Sequence, residues 1–272
     1  MKTKPSQSKA KPLLKLALKA PDKAVTAALT LALAIVGKEE SPFFTNTIQW
    51  AVSPGFLVIS AFDSGGRVLH TVRIPAEQQP GRKESFQFCM KVADAKAMTT
   101  RVSGGGEMEI RIEQTVLAAS YPNTHADAEY YAEARWVGTK RQGLSHIFTG
   151  VSHRFPCVDA VIPVAGSATA SITGSAEELL EFLSPSTARL FHLEKGTATQ
   201  ALSSGSVGSN LQFKGNLKET FNVEFPVQFL KQLPRDRVVT MEFTGQGNIV
   251  KMYGGLHGAI ATCLFMPLSM ND

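Results

Sequence analysis

The sequence predicts an α+β protein made of two similar modules, and three observations lead there. Short strand-like runs recur between Gly- and Pro-rich turns, helical stretches stand among them two to each half, and the element order of the first half returns in the second. Strand runs separate successive helices, which excludes the alternating pattern of a parallel βαβ sheet. The helices are therefore expected on one face of antiparallel sheets.

Residues 1–11 (MKTKPSQSKAK) are rich in Lys, Ser and Pro and have nothing to bury, so they predict a disordered basic tail, solvated or weakly tethered to nucleic acid. Leu13–Lys19 alternates Leu14, Leu16 and Leu18 with Lys15 and Lys19, the period of a strand. Pro21-Asp22 opens a helix that runs through Val36 and closes at Gly37. Strands follow at Thr47–Ser53, Phe56–Phe62 and Val68–Ile74, separated by Pro54-Gly55 and Ser64-Gly65-Gly66. Beyond Pro80-Gly81 come a strand at Glu84–Cys89 and a helix at Lys91–Val102, stopped by Gly104-Gly105-Gly106. Glu107–Glu113, Thr115–Tyr121 and Glu129–Val137 complete this half as strands.

The second half starts again with a strand, Ala168–Ile172. Ser175-Ala176-Glu177-Glu178 is a capping box leading into Leu179–Leu183, because the Ser175 hydroxyl can accept from a first-turn N–H while Glu178 reaches back. Pro185 ends that helix. Strands are expected at Arg189–Glu194, Thr197–Leu202, Ser206–Lys214 and Glu219–Glu224. A helix then runs from Pro226, at its first position, to Leu233. Val238–Phe243, Ile249–Tyr253 and Ala259–Met266 close the chain, with Gly245-Gln246-Gly247 as a hairpin turn. Each half thus reads as two βαβββ units.

Composition narrows the function classes. At 43% hydrophobic and 19% charged residues, the 272-residue chain can bury a core, and its net charge of +5 permits a polyanionic partner. Cys89, Cys157 and Cys263 are too few and too scattered for a zinc ribbon or disulfide framework. Each reads as a small buried hydrophobe in a reducing cytoplasm. The longest apolar run, Ala24 to Val36, is shorter than the ~20 residues of a membrane span, so no membrane partner is expected. The sequence has no H-E-x-x-H, no phosphate-binding G-x-x-x-x-G-K-[ST] and no G-x-G-x-x-G. Gly150-Val151-Ser152-His153-Arg154 lacks the second glycine of a nucleophile elbow. Six histidines (His70, His125, His146, His153, His192 and His257) show no i,i+4 metal pair and read as surface or strand residues. No catalytic residue, metal site or cofactor is expected.

Three segments carry a resemblance. Arg154-Phe155-Pro156-Cys157-Val158-Asp159-Ala160-Val161-Ile162-Pro163 resembles the R-F-P linker between the second and third domains of the bacterial DNA polymerase sliding clamp. Ala261-Thr262-Cys263-Leu264-Phe265-Met266-Pro267-Leu268 is similar to that family's terminal apolar strand. Ala61-Phe62-Asp63-Ser64-Gly65-Gly66-Arg67-Val68 resembles a hairpin of its second domain, with Phe62 where the family has a small polar residue and glycine for its histidine. Order and spacing agree along nearly the whole chain after the tail, as the last two of three bacterial domains.

The resemblance implies two tandem DNA-clamp domains, 12–155 and 156–272, in a ring of six such domains with helices lining the hole. Two domains per chain imply a homotrimer. Such a ring encircles duplex DNA without reading sequence and tethers DNA polymerase and clamp-loader peptides in an apolar pocket, acting as a processivity factor in the cytoplasm rather than an enzyme. Carried over residue by residue, the pocket wall comprises Phe62, Arg67, Val68, Pro156, Val161, Leu264, Met266 and Pro267. Lys23, Lys91, Lys96, Arg101, Lys231 and Arg235 are expected on helices facing DNA, while Glu177, Glu178 and Glu181 on the third helix would repel it. The reduced size points to a phage, plasmid or divergent source. Two alternatives stand beside this reading: a clamp-like scaffold that recruits repair or regulatory proteins without encircling DNA, and an enzyme with a site assembled from distant residues.

Overall fold

The structure is a computed structural model. It describes residues 14–37, 46–78, 85–100, 105–115, 129–137, 145–151, 155–156, 158–164, 166–183, 190–194, 197–200, 211–215, 218–244 and 249–266. The first half holds β1 (Leu14–Pro21), α1 (Asp22–Leu33), β2 (Thr47–Ser53), β3 (Phe56–Phe62), β4 (Val68–Pro75), β5 (Glu77–Gln78), β6 (Phe86–Lys91), α2 (Val92–Thr100), β7 (Glu107–Thr115), β8 (Glu129–Val137) and β9 (Ser145–Val151). A single-turn helix, α3 (Val158–Val161), leads to the second half. There lie β10 (Ala168–Ser175), α4 (Ala176–Leu183), β11 (Leu190–Glu194), β12 (Thr197–Gln200), β13 (Gln212–Gly215), β14 (Lys218–Asn222), α5 (Glu224–Leu230), β15 (Val238–Thr244), β16 (Val250–Leu256) and β17 (Ala259–Phe265).

The duplication expected from element order is present in the strand pairing. β1 pairs antiparallel with β7, as β10 does with β15; β2 pairs with β6, as β11 does with β14; and β1 meets β5, as β10 meets β13. Helix entry repeats too. The Asp22 N–H at the start of α1 donates to the Gly106 carbonyl (2.9 Å), and the Ala176 N–H at the start of α4 donates to the Arg237 carbonyl (2.8 Å). In each half the carbonyl belongs to the residue just before the unit's partner strand, β7 or β15. The capping box forms as expected: the Glu178 N–H donates to Ser175 Oγ (3.1 Å), and the Ser175 N–H donates to Glu178 Oε2 (2.8 Å).

The halves meet edge to edge. β17 pairs with β4 over six residues, from Ile260↔Arg73 to Phe265↔Val68, and one fourteen-stranded sheet runs through both modules. Because strand side chains alternate between faces, each face has its own core. Trp50, Ile59, Val72, Met252 and Ala261 join the buried faces of α1, α2, α4 and α5 in the main core. Opposite-face residues Phe62, Leu69, Cys89 and Leu264 form a second, smaller cluster with Phe155. Phe155 precedes α3, so the segment joining the halves crosses the face opposite the helices and is anchored there.

Several expectations are corrected. Between Glu107 and Val151 the third strand is Ser145–Val151, whereas residues 116–121 of the expected Thr115–Tyr121 strand lie outside the described residues. Thr115 itself ends β7, which is longer than expected. The last helix begins at Glu224, which therefore is not a strand residue, and ends at Leu230; Pro226 stands third in it, where its missing N–H has no intrahelical acceptor to lose. Leu233 is buried in the turn beyond that helix. Lys91 ends β6 rather than starting α2, because Thr47↔Lys91 continues the β2–β6 ladder. α3 was not expected at all. Of the expected Ser206–Lys214 strand, Leu211 onward is described, and the strand itself begins at Gln212. The 1–11 tail and the Gly245-Gln246-Gly247 turn lie outside the described residues, although β15 and β16 on either side of that turn pair antiparallel.

Candidate functional site

The hairpin resembling the clamp motif is held by one carboxylate. Asp63 Oδ1 accepts from the N–H groups of Arg67 and Val68 (2.7 Å each), and Oδ2 accepts from the Gly65 N–H (3.2 Å). A backbone pair closes the same loop, with the Asp63 N–H donating to the Val68 carbonyl (3.0 Å). Gly66 turns the chain at φ 66°, a conformation open to glycine without cost. The loop then binds the end of the chain, because the Met266 N–H donates to the Arg67 carbonyl at 3.3 Å.

Pairing brings three apolar side chains into one row across the junction: Phe62↔Leu69 between β3 and β4, then Leu69↔Leu264 between β4 and β17. The Phe155 ring packs on Phe62 with centroids 5.4 Å apart. At the open end of this row lies a shallow cleft lined by Phe62, Arg67, Val161, Leu264 and Met266 together with Ile249 and Leu69. Five of the eight residues expected from sequence therefore meet there. Val68 does not: it lies on the opposite face of β4 in the main core. Pro156 is described but does not line the cleft, and Pro267 lies outside the described residues. Ile249 is a lining residue that the sequence reading missed. Enclosed space is about 20 Å³, scarcely one water molecule. Phe62 is 6% exposed and its ring, packed on Phe155, takes up the room a smaller residue would leave.

Met266 and Leu264 play different parts. Met266 is half exposed, an adaptable thioether at the cleft mouth, whereas Leu264 is buried in the second cluster. Cys89 and Cys263 are both buried, and burial pushes the Cys263 thiol up from its ordinary range, which leaves it unreactive. Cys157 lies outside the described residues.

The helix-bearing face carries the expected cations unevenly. Lys23 on α1, Lys96 on α2 and Lys231 just after α5 are exposed. Arg235 is exposed but spends its charge locally: Nη1 donates to Glu177 Oε1 of α4 at 3.0 Å. Lys91 shares strand parity with Gln87 and Cys89, on the face away from the helices, so it does not join the others. Arg101 lies outside the described residues. On α4, Glu178 is absorbed by the capping box and Glu181 is exposed.

One buried polar residue was not foreseen. His70 on β4 faces the helices, its Nδ1 3.0 Å from the Leu31 carbonyl of α1 and its ring 5.5 Å from that of Phe229 in α5. It thus touches helices of both halves. Nε2 is buried with no hydrogen-bond partner among the described residues, and burial lowers the His70 pKa from 6.5 to about 4. The side chain is a neutral Nδ1–H donor. Among the described residues no group of three or more His, Cys, Asp or Glu could hold a metal ion, and no helix is long and apolar enough to cross a membrane.

No family model matches the sequence, and no curated protein is significantly similar to it. Solved structures do match in fold. A sliding clamp (DNA polymerase III subunit beta) from Pseudomonas aeruginosa bound to griselimycin superposes with a TM-score of 0.68 at 14% identity, covering 98% of this chain and 68% of that one. The DNA polymerase III beta subunit from Thermotoga maritima gives 0.67 at 15% identity, over 98% of this chain and 69% of its own. For the sliding clamp from Bacillus subtilis the values are 0.67 and 14%, over 93% and 64%. With duplicated units, helices on one sheet face and a crossing segment on the other, the fold of this chain is that of the DNA polymerase sliding clamps, spanning about two thirds of their length.

Proposed function

We propose that this protein is a sliding clamp, a processivity factor that encircles duplex DNA as a ring of three chains and tethers DNA polymerase and other replication proteins at the Met266 cleft. The observation carrying the ring is the junction between β4 and β17. β9 occupies in the first half the place that β17 holds in the second. Only its Gly150 and Val151 pair with β6, so among the described residues His146–Thr149 have no strand paired on that side. Ile147, half exposed, stands on that stretch. In the second half, β13 is a terminal strand of the long sheet, whose other terminal strand is β5. Repeating the internal junction between these two edges is a head-to-tail contact, which gives a closed ring if the rotation closes. Two domains, 12–155 and 156–272, would then reach the six of the resembling family with three copies.

Within such a ring Lys23, Lys96 and Lys231 face phosphates, and attraction without base readout suffices because retention is topological. The cleft suits a small anchoring side chain, with Met266 adapting around it. Two measurements test this. The mass in solution should be three times 29.3 kDa, about 88 kDa. The ring should stay on nicked circular DNA in high salt and slide off once the circle is cut. A stable monomer, or equal loss from circular and linear DNA, favours the non-encircling scaffold instead.

A further inference from the structure

A space larger than the Met266 cleft lies beside the same junction. Two rows of side chains follow the Phe62–Leu69–Leu264 row on the same sheet face: Ser60, Thr71 and Thr262, then Val58, Arg73 and Ile260. Above them a groove of about 440 Å³ opens between the sheet and α3, with Val158 and Ile162 as its wall. That volume lies within the range of ligand sites, and junctions between modules are where such sites concentrate. Both halves build it, and Val158 and Ile162 also pack on the second cluster, so its wall is fixed.

Its chemistry is specific. Arg73 is exposed and lies over the Phe56 ring, guanidinium carbon 3.6 Å from the centroid, with no carboxylate partner among the described residues. Stacking on a ring holds the planar fork in place and leaves its N–H edge free for a carboxylate. Lys251 stands at the other end with its charge shared with Glu242 (3.5 Å). Among the described residues no acidic side chain lines the groove. Beside Arg73 in the same row, Ile260 is 57% exposed, an apolar floor at a site from which water can be displaced. The Gln49 and Gln87 amides, joined at 3.0 Å, add polar groups to its lining.

We infer that this groove is a second docking site, taking an extended acidic–aliphatic peptide segment of a partner protein, with its carboxylate on Arg73 and an aliphatic side chain on Ile260. The inference does not depend on ring closure or on the Met266 cleft. The probe is a fluorescein-labelled peptide, Gly-Val-Leu-Glu-Leu-Gly, with Gln and Lys versions at the Glu position, titrated with the full-length protein by anisotropy. The Glu peptide should bind more tightly than the Gln peptide and much more tightly than the Lys peptide. Arg73→Glu should weaken the Glu peptide about tenfold, the loss of one charge-assisted contact, and abolish its advantage over Gln. Ile260→Ser should weaken Glu and Gln peptides alike, while Met266→Ser should change neither. Absence of binding, equal affinity for the Glu and Lys peptides, or sensitivity to Met266→Ser with indifference to Arg73→Glu would each overturn the assignment. Arg73 and Ile260 are exposed, so unfolding does not cloud the variants, and an unchanged circular dichroism melt checks it.

Discussion

His70 makes stability depend on pH in a way that can be worked out from its surroundings. Its Nδ1–H is satisfied by the Leu31 carbonyl, but a second proton would sit on buried Nε2, which faces no acceptor among the described residues. Folding therefore holds the ring neutral, with its pKa lowered from 6.5 to about 4, burial being the main cause. Asp63, whose charge pulls the other way, does not offset it. The sign follows from linkage: the unfolded chain binds the proton more readily, so stability is complete above pH 6.5 and falls as the pH drops toward 4. The full loss is about 3 kcal/mol, and about 2 kcal/mol of it has gone by pH 5, where ordinary carboxylates are still mostly ionised. The perturbation is His70→Leu, which keeps the apolar packing on Phe229 and removes the titration. Urea unfolding followed through the fluorescence of Trp50, buried in the same half, at pH 7.5 and pH 5 reads the effect. Wild type should lose about 2 kcal/mol more than the variant between those two values. An equal pH dependence in the two proteins would refute the reasoning, because the shift would then belong to other groups.

Other changes separate packing from binding. Leu264→Ser should cost about 3 kcal/mol by opening the second cluster, whereas Met266→Ser, at a half-exposed position, should leave the thermal midpoint nearly unchanged and still abolish polymerase-peptide binding; calorimetry and peptide titration together check this. Asp63→Ala removes the acceptor of three backbone N–H groups, so a loss of about 1–3 kcal/mol is expected, with faster amide exchange at Arg67 and Val68. Glu177→Gln releases Arg235 from its ion pair. DNA affinity should rise and the salt dependence of binding should steepen by roughly one ion; an unchanged slope would take Arg235 away from the DNA.

Secondary structure was legible where local chemistry decides it. Strands Thr47–Ser53, Phe56–Phe62 and Glu129–Val137 fall where alternation and turn residues put them, and the Ser175–Glu178 capping box is a contact between near neighbours. The duplication was readable from element order because each unit repeats the same local signals. Resemblance to a family in which such segments converge brought Phe62, Arg67, Val161, Leu264 and Met266 under consideration as one site, and they line one cleft.

What a side chain faces was decided by the tertiary structure. Val68 and Leu69 are adjacent and both apolar, yet strand parity sends one to the main core and the other to the row under the crossing segment, and only the β4–β17 register says which. Ring volume is likewise a matter of packing: the sequence shows Phe62 where the resembling family has a small residue, but only the structure seats its ring on Phe155 and fills the cleft. His70, Arg73 and the Glu177–Arg235 pair gain their character from residues tens of positions away, brought close by pairing between strands and between modules. Local signals act over a few residues and specify elements. The environment of a charge or a cavity sums contributions from distant segments, and no local pattern records that sum.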